Sequence, residues 1–320
     1  MFRFVILGAA KIGKKFCDAV KLTEGAAVTA VASKSAGRAE AFAKENGISH
    51  AYGSYEEMLD NEKPDCAYIA VTPNDHARLT KMCISRNIPV LCEKAMFVTR
   101  KEAEETFAYA KEKNVFCMEA LWSRFLPANI IAKEWIFKGR IGEPRLSRFG
   151  IGFPAPKDNT SRFLSSTLAG GCTTDITVYA WMITTFMLGK DYRNIKISAL
   201  KGGDNVDVVN QITLEYENTL AALSASFVSS IDEELVIYGT EGTLRIHRPH
   251  FARECSLYGL DQKLADQFTD RETVNGFTWE IAETMRCVKE GLLESKVVPW
   301  EDTIDCAGVF DLIRESIGMR

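Results

Sequence analysis

The chain has 320 residues, 46% of them hydrophobic and 26% charged, with a formal net charge of −4. That is an ordinary soluble composition, long enough for two domains with real cores. The mild acidity argues against a nucleic-acid partner and an anionic membrane surface, and no apolar stretch approaches a membrane span. The apolar N-terminus is followed by Lys11, Lys14 and Lys15 without a cleavage-like site, so it reads as a strand and not a signal peptide. Nine scattered cysteines, none in a CxxC pair, predict buried free thiols in a reducing cytoplasm. The four histidines are dispersed, and Pro249 with a lack of nearby ligands makes His247 and His250 a poor metal pair, so no metal is expected.

The run 2–7, FRFVIL, is apolar except for Arg3 and suits a strand buried on both faces of a parallel sheet. Gly8, Ala10 and Gly13 then stand where a dinucleotide-binding turn puts its three small residues. Gly8 allows the tight turn, Ala10 sits where the backbone nears the pyrophosphate, and Gly13 lets the helix 11–22 pack on the strand. With Lys11 and Ile12, these residues form the candidate pyrophosphate site at a helix start, where free N–H groups and the dipole favour an anion. Ala10 in place of the usual second glycine narrows the approach.

Strand and helix alternate from there. The expected elements are a strand 28–32, a helix 36–45 closed at 46–47, a short helix 55–59 capped by Ser54, and a strand 66–71 broken by Thr72-Pro73-Asn74. Asp75 is placed as the cap of a helix to 85. A strand 90–92, a helix 101–113 with Thr99 and Glu102 as a capping box, and a strand 115–118 follow. This alternation predicts a doubly wound parallel sheet of the α/β class. After 121 the pattern changes. A helix over 125–137 precedes strands at 146–151, 195–200, 206–216, 220–229, 235–238 and 243–246, interrupted by a helix from about 174 to 188. Consecutive strands imply an open, mostly antiparallel sheet in an α+β domain. Helices 278–290 and 301–318 close the chain. The boundary falls near 121, giving a nucleotide-binding domain 1–121 and a substrate-binding and oligomerisation domain 122–320. The strand-rich region 146–246 has too few helices to cover both faces, which predicts a homodimer or larger assembly.

Two stretches test the nucleotide reading. An acid about 20 residues past the glycine loop would bind the ribose 2′-hydroxyl of NAD. The chain instead reads Ser33-Lys34-Ser35, with Arg38 one turn on. A cation and hydroxyls suit the 2′-phosphate of NADP better than a carboxylate would, with NAD as the alternative. The second stretch is Glu93-Lys94-Ala95, straight after a buried strand, where ligands of parallel sheets bind. Lys94 there can hold a ribose or substrate hydroxyl and lend positive charge.

At these residues the chain resembles the glucose-fructose oxidoreductase / inositol dehydrogenase / MocA family of NAD(P)-dependent dehydrogenases, over nearly its whole length. Gly8-Ala9-Ala10-Lys11-Ile12-Gly13 is similar to the family's nucleotide loop. Thr72-Pro73-Asn74-Asp75-His76 resembles its TPNxxH-like stretch, one residue shorter, and Glu93-Lys94 its EKP motif with Ala95 for Pro. Met118-Glu119-Ala120-Leu121-Trp122-Ser123-Arg124-Phe125 resembles the MEAxWxRF segment of the dimeric dihydrodiol dehydrogenase and NADP-dependent xylose dehydrogenase branch. Gly139-Arg140-Ile141-Gly142 and Gly239-Thr240-Glu241-Gly242-Thr243 resemble two further turns. Residues 169–179, AGGCTTDITVY, resemble GGGxxxDxGxH/Y, with Thr177 where the family has Gly.

The resemblance implies hydride transfer between a nicotinamide and a small sugar, polyol or cyclic diol. It implies Tyr179 as acid/base, Lys94 assisting, and Asp175 at the substrate. Thr72, Pro73, Asn74, His76, Glu93, Lys94 and Arg124 are implied as cofactor contacts, and Trp122 and Phe153 as substrate contacts. Trp122 and Arg124 are expected to face the cleft between the domains. Family relatives resembling a non-catalytic NADP-binding repressor, and others that are NAD-dependent glycosidases, give the two alternatives.

Overall fold

The computed structural model of the chain describes residues 1–156 and 162–319. They form two compact units, Met1–Trp122 with Val274–Ala307, and Ser123–Thr273 with the residues from Gly308 onward. The segment 274–307, expected within a second domain, packs with the first unit. No helix among the described residues is long and apolar enough to cross a membrane.

In the first unit the strands are β1 (Phe2–Leu7), β2 (Ala26–Ala32), β3 (His50–Tyr52), β4 (Cys66–Ile69), β5 (Val90–Glu93) and β6 (Cys117–Ala120). They pair in parallel in the order β3-β2-β1-β4-β5-β6, the dinucleotide-binding topology. Helices α1 (Lys11–Lys21), α2 (Ala36–Asn46), α3 (Tyr55–Glu62), α4 (His76–Ile84) and α5 (Arg100–Lys113) connect them. Every residue of β4, β5 and β6 is buried, as both-face coverage requires. The Ser54 and Thr99 caps form as expected, accepting from the Glu57 and Glu102 N–H groups. Asp75 caps nothing with its side chain. Its carboxylate is held by Lys34 and Arg78, which draw it away from the helix start. The strand expected at 115–118 starts later. Asn114 turns left-handed and the Val115 N–H closes the end of α5 on Ala110 O, so Val115 belongs to the helix terminus.

In the second unit, α6 (Pro127–Phe137), β7 (Pro144–Gly152), α7 (Val178–Leu188), β8 (Asn194–Lys201), β9 (Asp207–Glu215), β10 (Leu220–Ser226), β11 (Glu234–Gly239), β12 (Gly242–His247), β13 (Glu254–Gly259) and β14 (Leu264–Thr269) follow in turn. The sheet order is β14-β13-β12-β11-β7-β10-β9-β8, antiparallel except for β7 with β10. Helix α6 packs on β12 to β14 and α7 on β7 and β10. Ser147, Phe149 and Ile151 of β7 are buried while Leu146 and Arg148, on alternate positions, stay exposed with Leu220 beside them. The last two helices are α8 (Phe277–Lys289) and α9 (Trp300–Ser316), and α8 packs on α1.

Candidate active site

The first unit gathers the nucleotide candidates at the carboxyl ends of its strands. Gly8 has φ +112°, and a Cβ there would lie 2.5 Å from Ala70 O, so only glycine fits where β1 and β4 part. A Cβ on Gly13 would lie 3.1 Å from the Phe42 ring. Helix α1 starts at Ala10 with no side-chain cap and no acid in its first turn. Its first N–H groups therefore face outward for an anion to accept. Lys11 is exposed and Ile12 half-buried at that end. Thr72 and Pro73, half-buried, and exposed Asn74 follow β4 on the same strand ends.

At the end of β2, Ser33 is buried and its Oγ accepts from the Ser35 N–H at 3.4 Å. Lys34 is 68% exposed and lies 3.0 Å from Asp75 Oδ2. Asp75 is already held at both oxygens by Arg78, at 2.7 and 3.1 Å, so its bond to Lys34 is a replaceable surface pair. Arg38 is exposed in the first turn of α2, whose N-cap Ser35 makes no side-chain cap bond.

The turn after β5 is braced from three sides. Glu93 is buried and accepts from the Tyr68 hydroxyl. Burial raises its carboxyl above the usual range, against the pull of Tyr68 and Lys94. The Lys94–Ala95 peptide bond is cis. His76 is fully buried, with Nδ1 2.9 Å from Ala95 O and Nε2 3.1 Å from Val71 O. Burial lowers its pKa to about 4, so the ring is neutral and donates to one of these carbonyls. The Glu119 carboxylate accepts from the Met96 N–H at 3.0 Å and from the Thr303 hydroxyl at 2.8 Å. His76 and Glu119 thus fix the backbone on which Lys94 stands. Glu93 is committed to Tyr68 and is likewise a brace.

Sequence reasoning missed the neighbours of this turn. Lys15 of α1 sits 4.2 Å from the Trp122 ring and 4.6 Å from that of Phe277. Burial lowers its pKa, while Glu280 and Glu93 raise it. Glu280 is fully buried, and neither oxygen has a hydrogen-bond partner among the described residues. Burial, then Glu93, raise its carboxyl well above the usual range. No motif flags Lys15 or Glu280; α8 brings the glutamate back some 265 residues (280 − 15) after the lysine. Trp122 packs on Lys15 and on Phe277, at 5.3 Å between ring centroids.

In the second unit the helix expected over 174–188 begins as a π turn, Thr173–Thr177, before α7. Within 171–180, Asp175 and Tyr179 are the two half-buried residues and the rest are buried. Thr177, in place of glycine, exchanges hydrogen bonds with Asn210, which also donates to Asp207 Oδ2 at 2.7 Å. The Thr173 N–H donates to Asp207 Oδ1 at 3.2 Å. These bonds pin the π turn to β9. Asp175 accepts from both Nη atoms of Arg162 at 3.2 Å, and Phe153 lies 5.7 Å from Phe163 and 5.3 Å from Phe227. The Tyr179 ring is 5.5 Å from that of His250.

Arg124 corrects an expectation. The resemblance implies it as a cofactor contact facing a cleft, but it is 1% exposed and donates to Met182 O from Nε at 3.0 Å and Nη2 at 2.7 Å. Its guanidinium is a strut for α7, because a carbonyl at mid-helix retains a lone pair that a buried cation can use.

Residues 2–121 match the GFO/IDH/MocA oxidoreductase family with its NAD-binding Rossmann fold, and residues 130–245 match a GFO/IDH/MocA C-terminal domain. The trans-1,2-dihydrobenzene-1,2-diol dehydrogenase of Mus musculus is 31% identical over 299 residues, 91% of this chain and 89% of the relative. The protein of the same name from Danio rerio is 28% identical over 326 residues, 99% of this chain and 97% of the relative. A 3-ketoreductase from Actinomadura kijaniata, solved with NADP and TDP-benzene, has a TM-score of 0.87 at 22% identity, covering 98% of this chain and 97% of that one. An aldose-aldose oxidoreductase from Caulobacter crescentus, solved with glycerol, has a TM-score of 0.88 at 18% identity, covering 99% and 97%. At such identities these two structures support the fold alone.

Proposed function

This chain belongs to the GFO/IDH/MocA oxidoreductase family, and from that premise we propose that it transfers a hydride between NADP and the CH–OH carbon of a sugar, polyol or cyclic diol. The nicotinamide, when bound, supplies the hydride chemistry. The chain's residues supply the rest. The Gly8–Gly13 loop and the open start of α1 bind the pyrophosphate, since nothing on the helix start competes with an anion. Thr72, Pro73 and Asn74 line the strand ends beside it. Lys94, on its braced turn, holds a hydroxyl and lends positive charge. Asp175 orients the substrate, with Phe153 and Trp122 as apolar contacts. Tyr179 takes the hydroxyl proton during oxidation and returns it during reduction.

The observation that carries the choice of NADP is the end of β2, where buried Ser33 and exposed Lys34 stand in place of a carboxylate. A 2′-phosphate offers Lys34 a stronger partner than the already neutralised Asp75. Lys34→Ala should weaken NADPH binding by about 1.5–3 kcal/mol, roughly ten- to hundredfold, and leave NADH nearly unchanged. Equal weakening of both in a fluorescence titration, or tighter NADH binding by the unmodified protein, refutes the preference. NAD remains the alternative cofactor.

The reading also includes a homodimer or larger assembly through the exposed face of β7 to β10, supported by exposed Leu146 and Leu220. A monomer in light scattering at micromolar concentration removes that part. The nine free buried cysteines support a reducing, cytoplasmic setting.

A further inference from the structure

We propose that Arg162 is a specificity-determining residue: with Asp175 it reads two neighbouring hydroxyls of an uncharged substrate. The inference rests on the dehydrogenase reading above and deepens it.

Arg162 is held in place and yet open. Both Nη atoms donate to Asp175 Oδ1 at 3.2 Å, and the guanidinium carbon lies 4.3 Å from the centroid of the Phe163 ring. Its backbone is fixed as well. The Gly171 N–H donates to Phe163 O at 2.8 Å, and a Cβ on Gly170 would lie 2.6 Å from Arg162 O and 2.8 Å from Phe163 O. The two glycines before the π turn therefore seat the Arg162–Phe163 backbone against the start of the Asp175 helix. A side chain at Gly170 would push it off. Even so, the Arg162 side chain is 51% exposed and that of Asp175 12%. An ion pair fixed by a stacked ring and a glycine seat loses little entropy when a ligand replaces solvent around it.

The chemistry of the pair selects its ligand. A carboxylate only accepts and a guanidinium only donates, whereas an alcohol does both. Donor and acceptor stand 3.2 Å apart, a hydrogen-bonding separation, so hydroxyls on adjacent carbons can engage one each. A lone hydroxyl can bridge the pair with one bond to each, whereas a second hydroxyl on the adjacent carbon adds a bond to the other Nη of Arg162. The charge balance disfavours an anion. Within 162–179 Arg162 is the sole cation and Asp175 the sole carboxylate, so the pair is neutral and offers no net charge to an anion. Phe153, half-buried and packed edge-on to Phe163, offers an apolar wall beside the pair for a ring face.

The test compares three six-membered-ring probes with NADP: trans-cyclohexane-1,2-diol, cyclohexanol and trans-2-hydroxycyclohexanecarboxylate. The unmodified protein should favour the diol over the alcohol by tenfold or more in kcat/KM and use the carboxylate least. Arg162→Ala should erase at least tenfold of the diol's advantage, mainly through KM, and cost cyclohexanol less than it costs the diol. Arg162→Lys should fail to restore the advantage, since an ammonium lacks the fork that spans Asp175 and a hydroxyl. A preference for the carboxylate, equal losses on diol and alcohol, or full rescue by lysine would each overturn the proposal. If none of the probes is oxidised although NADP binds, the dehydrogenase reading for this substrate class falls. Saturation-transfer NMR of diol against cyclohexanol on the NADP complex then decides Arg162 separately: preferential, Arg162-dependent diol binding supports it, and equal binding refutes it.

Discussion

Tyr179→Phe should lower turnover by about 10²–10⁴-fold, the usual contribution of a positioned general acid or base. The substitution keeps the ring beside His250 and removes the hydroxyl, so NADPH affinity and the unfolding midpoint should hardly move. A free tyrosine, with a pKa of about 10, is a poor base at neutral pH and needs a cation to favour its phenolate. Lys94 is proposed for that part. Lys94→Met should also depress turnover, and should move the limb of the pH–rate profile that reports phenolate formation to higher pH. The two residues are carried by different units of the chain, so their joint action is a matter for kinetics. The double variant should be little worse than the poorer single one, because residues acting as a unit are not additive. A Tyr179→Phe protein that is less stable but turns over normally per folded molecule would end the acid/base assignment and return the tyrosine to the core.

What was legible in the chain followed from local rules. Gly8 was readable because a buried strand must turn sharply at its end, and the contact with Ala70 O shows why no other residue serves. The caps at Ser54 and Thr99 were readable because each is settled within three residues. Strands β13 and β14 were not. ECSLYG and LADQFT are short, near a sheet edge and without sustained apolar alternation, and only pairing reveals them. The site divides the same way. Asp175 and Tyr179 were found from the family pattern, but the π turn beneath them depends on Asn210 and Asp207, which come from another strand. Lys15, Glu280 and Arg162 belong to no motif; the first two acquire meaning only from partners distant in sequence, and Arg162 from Asp175, 13 positions on across the glycine seat.

Arg124 illustrates how a motif can name a residue and mislead about its work, and it sets the second large effect. Arg124→Ala should destabilise the protein by about 3–5 kcal/mol, as loss of charge-assisted bonds adds to the cavity left by a long buried side chain. Its fork holds Met182 O by two bonds, and Met182 lies one turn past Tyr179 on α7. Nη2 also reaches Thr185 Oγ1 at 3.5 Å, and the guanidinium lies 5.3 Å from the Phe186 ring. Removing the strut loosens the helix that presents Tyr179, so turnover should fall in the protein that remains folded. NADPH affinity should stay within about twofold. Arg124→Lys should recover only part of the stability, since one ammonium cannot make both bonds to Met182 O in the same geometry. A residue that bound cofactor would give the opposite split, with NADPH affinity lost and the urea midpoint preserved. Urea unfolding and NADPH titration of the same two variants therefore separate a strut from a cofactor contact, and a preserved midpoint with weakened NADPH binding would restore Arg124 to the nucleotide site.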